Sequence, residues 1–126
     1  KKKKKLGSII QLSSIYGMVG QNLNIYQNTN ITENFPYSLI KGGQSNLVKQ
    51  MASYYGRYKI RVNAVCAGGV FDNQNKKFVK NYSEQVPIKR MAKAHEISST
   101  IIFLSSDASS YITGSNLIVD GGWTSI

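Results

Sequence analysis

The sequence has 126 residues, 41% of them hydrophobic, which suits one small domain or part of a larger one and argues against wholesale disorder. A single cysteine, Cys66, excludes an internal disulfide framework and a multi-cysteine zinc site, and a single histidine, His95, argues against a histidine-based catalytic or metal set. Net charge is +10, but five of those charges sit in Lys1–Lys5 without interleaved aromatics, which reads as a solvated end rather than a nucleic-acid arm.

No apolar run approaches the ~20 residues that cross a bilayer, and no signal-peptide pattern opens the chain. The expected setting is therefore the cytoplasm, with no membrane, nucleic-acid or metal partner. Ser8 to Leu12 is a short apolar, β-branched run that Ser13-Ser14 ends, the pattern of a buried strand. From Ile15 to Phe35 no period holds, and glycine and amide residues predict a long loop of the kind that is often functional. Pro36 suits the first turn of a helix that runs to about Tyr55. Leu39, Gly43, Leu47 and Met51 recur at spacing four, with Ile40 and Val48 beside them, as its apolar face, and Gly56 lies where a glycine cap falls. Lys59 to Val65 alternates as a second strand, broken by Ala67-Gly68-Gly69. Asn73 to Tyr82 reads as a short, mobile helix. Ala94 to Ser105 is a clear helix with Ile97, Ile101 and Leu104 as its stripe, and Asn116 to Val119 is a last strand closed by Asp120-Gly121-Gly122. Strands alternating with helices predict an α/β fold with parallel strands and crossover helices.

Tyr37 and Lys41 stand four residues apart and share a helix face. An ammonium beside a phenol favours the phenolate, which suits proton transfer near neutral pH. The spacing alone is weak, because Tyr55 and Lys59 repeat it across the helix end. Context strengthens it. Ser14 ends one strand and Gly68-Gly69 follow the next, and ligands of open α/β sheets bind outside such ends. Cys66 reads as a small buried residue, His95 as a surface or cap residue, and Trp123 as either local core or a subunit contact.

The stretches Gly7-Ser-Ile-Ile-Gln-Leu-Ser-Ser-Ile-Tyr-Gly17, Tyr37-Ser-Leu-Ile-Lys41, Ile60-Arg-Val-Asn-Ala-Val65, Phe103-Leu-Ser-Ser-Asp-Ala-Ser-Ser-Tyr-Ile-Thr-Gly114 and Val119-Asp-Gly-Gly-Trp123 occur in an order that resembles the C-terminal catalytic half of a short-chain dehydrogenase/reductase. The resemblance implies part of a Rossmann-type, doubly wound sheet of three strands, with the N-terminal nucleotide-binding half missing. It implies one partial domain over 1–126, with 1–5 as a basic end. Ser14 would hydrogen-bond the reacting oxygen and Tyr37 would transfer its proton. Lys41 would act on Tyr37 and hold the nicotinamide ribose, while Gly68, Gly69 and Val70 would line the nicotinamide of NAD or NADP. Ser13 is the alternative serine. The implied reaction interconverts a secondary alcohol and a ketone. The implied partners are a small-molecule substrate and, for the full-length protein, copies of itself in a dimer or tetramer.

Some features depart from the family pattern. Ala67-Gly68 stands where Pro-Gly is usual, and Asp72 stands where a threonine near the pyrophosphate is usual. The 23 residues from Ser14 to Tyr37 exceed the usual spacing. The long loop, with Gly69-Val-Phe-Asp-Asn-Gln74, is similar to oxidoreductases of flagellin modification and nonulosonic-sugar synthesis and suits a sugar or nucleotide-sugar. No Gly-x-x-x-Gly-x-Gly precedes Ser14, so these residues by themselves are expected to bind cofactor weakly or not at all and to be inactive alone. The rival readings are a noncatalytic oligomerisation or binding piece and a basic nucleic-acid binder.

Overall fold

A computed structural model describes residues 6–126; the Lys1–Lys5 run, and its reading as a solvated end, lie outside the described residues. Three strands, β1 (Gly7–Ser14), β2 (Ile60–Ala67) and β3 (Asn116–Val119), form one sheet in the order β1-β2-β3, and both pairings are parallel. Helix α1 (Phe35–Gly56) connects β1 to β2, and α2 (Lys76–Gln85) and α3 (Ala94–Ser105) connect β2 to β3. Parallel strands need such crossovers, so this is the α/β order expected from the alternation.

The central strand explains the layering. Val62 to Cys66 of β2 are all fully buried. Side chains alternate along a strand. Ala64 and Cys66 therefore meet Val48 of α1 on one face, and Val65 meets Ile97 and Leu104 of α3 on the other. Helices thus cover both faces of the buried strand. The one buried amide in β2 is satisfied: Asn63 donates to the Ile112 carbonyl at 2.9 Å and accepts from the Ser115 amide at 3.0 Å. Cys66 is buried, as expected.

Several boundaries differ from the sequence reading. β1 extends through Ser14, because its full length pairs with β2, down to Ser14 opposite Ala67. β2 starts at Ile60 because Lys59 has a left-handed φ of 61° and cannot continue a strand. That same residue turns the chain after α1, whereas Gly56 is helical, so the glycine cap expected there is replaced by a lysine turn. α2 starts three residues later than expected, where the Asn75 side chain caps the amides of Lys77 and Phe78. On α1 most of the expected apolar face is turned outward, since Leu39, Ile40 and Leu47 are exposed, whereas Val48 is buried as expected, together with Ser45 and Ala52. A row at constant spacing four drifts around a helix of 3.6 residues per turn, and small residues let α1 lie closer to β2.

The segment expected as a long loop is ordered. It holds two 3₁₀ turns, Ile15–Gly17 and Leu23–Tyr26, each anchored by one buried isoleucine, Ile15 and Ile25. Both isoleucines join a cluster with Tyr82, Val86, Met91 and Trp123. Trp123 stacks on Tyr82 with ring centroids 4.7 Å apart, so within this chain it is a local core residue. Among the described residues no helix is long and apolar enough to cross a membrane. Nor do three or more His, Cys, Asp or Glu side chains converge on a point that could hold a metal.

Candidate active site

The site is built where β1 and β2 end level with each other. Ser14 pairs with Ala67, so the chain beyond each strand leaves the sheet at the same edge. After Ser14 the chain turns at once into a 3₁₀ turn, and the buried Ser14 Oγ accepts the Tyr16 amide at 3.1 Å. That bond uses a lone pair and leaves the hydroxyl proton available. Ser13 points the other way, as alternation requires, toward the Lys41 carbonyl at 3.4 Å and Ser45 Oγ at 3.5 Å.

Helix α1 brings the phenol and the amine. Asn34 caps it by accepting the Tyr37 amide at 2.9 Å, and Pro36 sits in its first turn. One helical turn on, Lys41 Nζ lies 5.5 Å from the centroid of the Tyr37 ring and donates to the Leu12 carbonyl at 3.1 Å. Gly17 sets the approach of the two elements. A Cβ there would lie 2.5 Å from the Lys41 carbonyl oxygen, so only glycine lets this turn rest on the backbone of α1.

Gly68 and Gly69 follow β2. The Gly68 amide donates to the Val119 carbonyl at 2.9 Å, and the Gly69 amide donates to the Tyr82 hydroxyl. A Cβ on Gly69 would meet the Tyr82 ring at 2.6 Å, and one on Gly68 would meet Asp120 at 2.9 Å. The missing side chains at this turn are thus demanded by internal packing before any ligand arrives. Val70 bridges to Ala92, and its carbonyl accepts the Gln74 side chain at 2.7 Å. Asp72 is exposed and has its amide held by Gln74 at 2.8 Å.

Two clefts open at this edge. One, of about 450 Å³, runs past Leu12, Lys41 and Val70 to Ile97 and Ile101 of α3. The other, of about 340 Å³, lies under the loop, between Tyr16, Tyr26, Asn34 and Phe78. Ser14, Tyr37, Ala67, Gly68 and Val70 line both. The expected site residues Ser14, Tyr37, Lys41, Gly68 and Val70 therefore gather at one place, and Gly69 lines the second cleft only. Tyr55 and Lys59 line neither. The first cleft fits the nicotinamide–ribose end of a dinucleotide. The Lys41 ammonium keeps donors free beyond its one bond, and Val70, Ile97 and Ile101 supply an apolar wall.

Sequence reasoning passed over Tyr16, Gln21, Phe78 and Tyr82 of the second cleft. Gln21 ties the loop to α1: its side chain donates to the Asn34 carbonyl at 3.2 Å and accepts the Asn34 amide at 3.2 Å and the Tyr26 hydroxyl at 3.4 Å. Burial, with the phenols of Tyr26 and Tyr82 beside it, pushes the Tyr16 pKa far up. Burial likewise raises Tyr26 and Tyr82. All three phenols are neutral at physiological pH. Only adjacency to Ser14 marks Tyr16 in the sequence, and no local pattern marks Gln21.

Comparison with known proteins agrees with this architecture. The family model described as enoyl-(acyl carrier protein) reductase matches residues 1–124. Post-translational flagellin modification protein A of Campylobacter coli is 39% identical over 122 residues, covering 97% of this chain and 48% of that protein. A short-chain dehydrogenase of Leptospira borgpetersenii, solved with bound NAD+, superposes with a TM-score of 0.85 at 36% identity over 96% of this chain and 46% of the other. A gluconate 5-dehydrogenase of Burkholderia cenocepacia, solved with NADP and tartrate, superposes with a TM-score of 0.81 at 28% identity, covering 96% of this chain and 46% of that one. The chain thus spans about half the length of the relatives it matches. With its motif order, its parallel sheet and these likenesses in agreement, the chain belongs to the short-chain dehydrogenase/reductase family.

Proposed function

We propose that the complete gene product is an NAD- or NADP-dependent oxidoreductase that interconverts a secondary alcohol and a ketone on a sugar or nucleotide-sugar, through Ser14, Tyr37 and Lys41. The observation that carries this reading is the shared wall: Ser14 and Tyr37 line both clefts, so one molecule on each side would meet at the same two hydroxyls. Bound NAD or NADP supplies the hydride acceptor or donor.

In the oxidative direction the Ser14 hydroxyl hydrogen-bonds the substrate oxygen and orients it. The Tyr37 phenolic oxygen takes the hydroxyl proton while the hydrogen on carbon leaves as hydride, and a C=O bond replaces the C–O bond. In the reductive direction Tyr37 returns the proton. Lys41, one turn away, stabilises negative charge on the phenolic oxygen and offers its remaining N–H donors to ribose hydroxyls. Gly68 and Val70 line the nicotinamide in the first cleft, Gly69 lies on the side of the second cleft against Tyr82, and burial of Ser14 at the strand end holds its hydroxyl in place. The loop under which the second cleft lies supplies amides and phenols suited to a hydroxyl-bearing substrate.

Replacing Tyr37 by Phe in the complete gene product is expected to lower kcat by about 10²–10⁴-fold, the range for a lost proton-transfer group, with the circular dichroism spectrum unchanged. Turnover equal to the parent protein's would overturn the assignment.

A further inference from the structure

The role of Gln74 rests on the dehydrogenase reading: if Gly68 and Val70 line a nicotinamide, the backbone from Gly68 to Asp72 is part of the cofactor site. This backbone has left β2, which ends at Ala67, yet both of its edges are hydrogen-bonded. On one edge Ala92 donates its amide to the Gly69 carbonyl and accepts the Phe71 amide, each at 2.9 Å. On the other edge the Gln74 side-chain nitrogen donates to the Val70 carbonyl at 2.7 Å, and the Gln74 side-chain oxygen accepts the Asp72 amide at 2.8 Å. A residue of a parallel strand pairs in this way, donating to one carbonyl and accepting from the amide two residues on. The Gln74 side chain therefore does for this segment what one residue of a neighbouring strand would do.

Local chain geometry gives Gln74 its reach. Asn73 adopts a left-handed φ of 54°, which turns the chain back, and asparagine tolerates that region better than most residues. Asn75 then caps α2 with its own side chain. From α2, Tyr82 receives the Gly69 amide on its hydroxyl. Gln74 thus joins the turn at the sheet edge to the helix whose Phe78 and Tyr82 wall the second cleft. Gln74 itself lines neither cleft, whereas Val70, which it holds, lines both.

We infer that Gln74 is a positioning residue for the nicotinamide end of the cofactor: its side-chain amide stands in for a strand partner, fixes Val70, and prepares the wall against which the nicotinamide lies. The N–H and C=O of one residue in extended backbone point to the same edge, so the direction of the Val70 N–H follows from the same clamp. Without the clamp the segment samples other conformations, and affinity falls by the fraction that stays competent. Only the part of a ligand that meets Val70 feels this change.

The test uses the complete gene product and isothermal titration calorimetry, with no turnover required. The probes are NAD+ against ADP-ribose, and NADP+ against its counterpart without the nicotinamide. Gln74→Met keeps the length of the side chain and neither hydrogen bond. It is expected to weaken the cofactor that the parent protein prefers about five- to tenfold, and to change the matching nicotinamide-free ligand by less than about twofold. Gln74→Glu keeps an acceptor for the Asp72 amide but sets a carboxylate against the Val70 carbonyl, and is expected to show the same selective loss. It also serves as the reading if the Met variant fails to fold. Equal weakening of both ligands would make Gln74 merely structural, and cofactor binding as tight as the parent's would leave it without a role; either result overturns the inference. A parent protein that binds neither cofactor sinks the dehydrogenase reading itself, and the inference with it.

Discussion

Arg90 grips the Glu96 carboxylate with two hydrogen bonds of 2.7 Å, and the same carboxylate accepts the Lys93 amide at 2.8 Å, which closes the first turn of α3. The Arg90 hydrogen bonds, followed by the Lys93 amide, pull the Glu96 pKa from 4.5 down to about 2. A carboxyl group whose pKa is lower folded than unfolded adds stability above the unfolded value, and the contribution fades as pH falls through the folded one. Acidification from about 4.5 to about 2 should therefore remove the Glu96 contribution, and Arg90→Gln should shrink that window by raising the Glu96 pKa. A carbon-13 NMR titration of the Glu96 carboxyl, with unfolding followed across the same pH range, checks both. At this scale the sequence was uneven in what it disclosed. Tyr37 and Lys41 were legible because one helical turn separates them. Glu96 was not singled out, because its partner lies six residues away, across a bend outside the helix.

At the scale of elements, the decisive contact is the turn after β1 resting on α1. Gly17 permits it, since a Cβ would strike the Lys41 backbone. Gly17→Ala should destabilise the protein by roughly 1–3 kcal/mol, the usual cost of overpacking, and should lower turnover of the complete gene product by moving Lys41 relative to Ser14. Gly43→Ala is the matched control. Its Cβ would meet nothing within 4 Å, so it should be neutral or add about 0.5–1 kcal/mol of stability by favouring the helix. Denaturant unfolding of both variants separates the two effects. The buried face of α1 was only partly legible: Val48 stood beside the expected apolar row, whereas Ser45 and Ala52 carry little apolar signal. The order of the loop is equally hidden, because it comes from side-chain bonds of Gln21 to residues up to 17 positions away and from two isolated isoleucines.

For the whole molecule, β3 holds the glycine turn at the sheet edge in place, because the Val119 carbonyl receives the Gly68 amide. Asn63 fastens that docking from inside β2 through Ile112 and Ser115. Asn63→Leu would leave both backbone groups unpaired and is expected to cost on the order of 2–4 kcal/mol, read by thermal unfolding, with Asn63→Ser losing less if water reaches the gap. What the amino-acid sequence disclosed by local periodicity was the element order, the parallel α/β class and the placing of Tyr37 and Lys41 on one helix face, because these rest on spacings within one helical turn or one strand; Ser14 joined them only through the resemblance in motif order. Tertiary structure alone decided that Ser14 lines both clefts whereas Ser13 lines only the first, which face of α1 is buried, and why Gly17 and Gly69 lack side chains. Those facts depend on residues far apart in the chain meeting at contact distance, and no window along the sequence contains both partners.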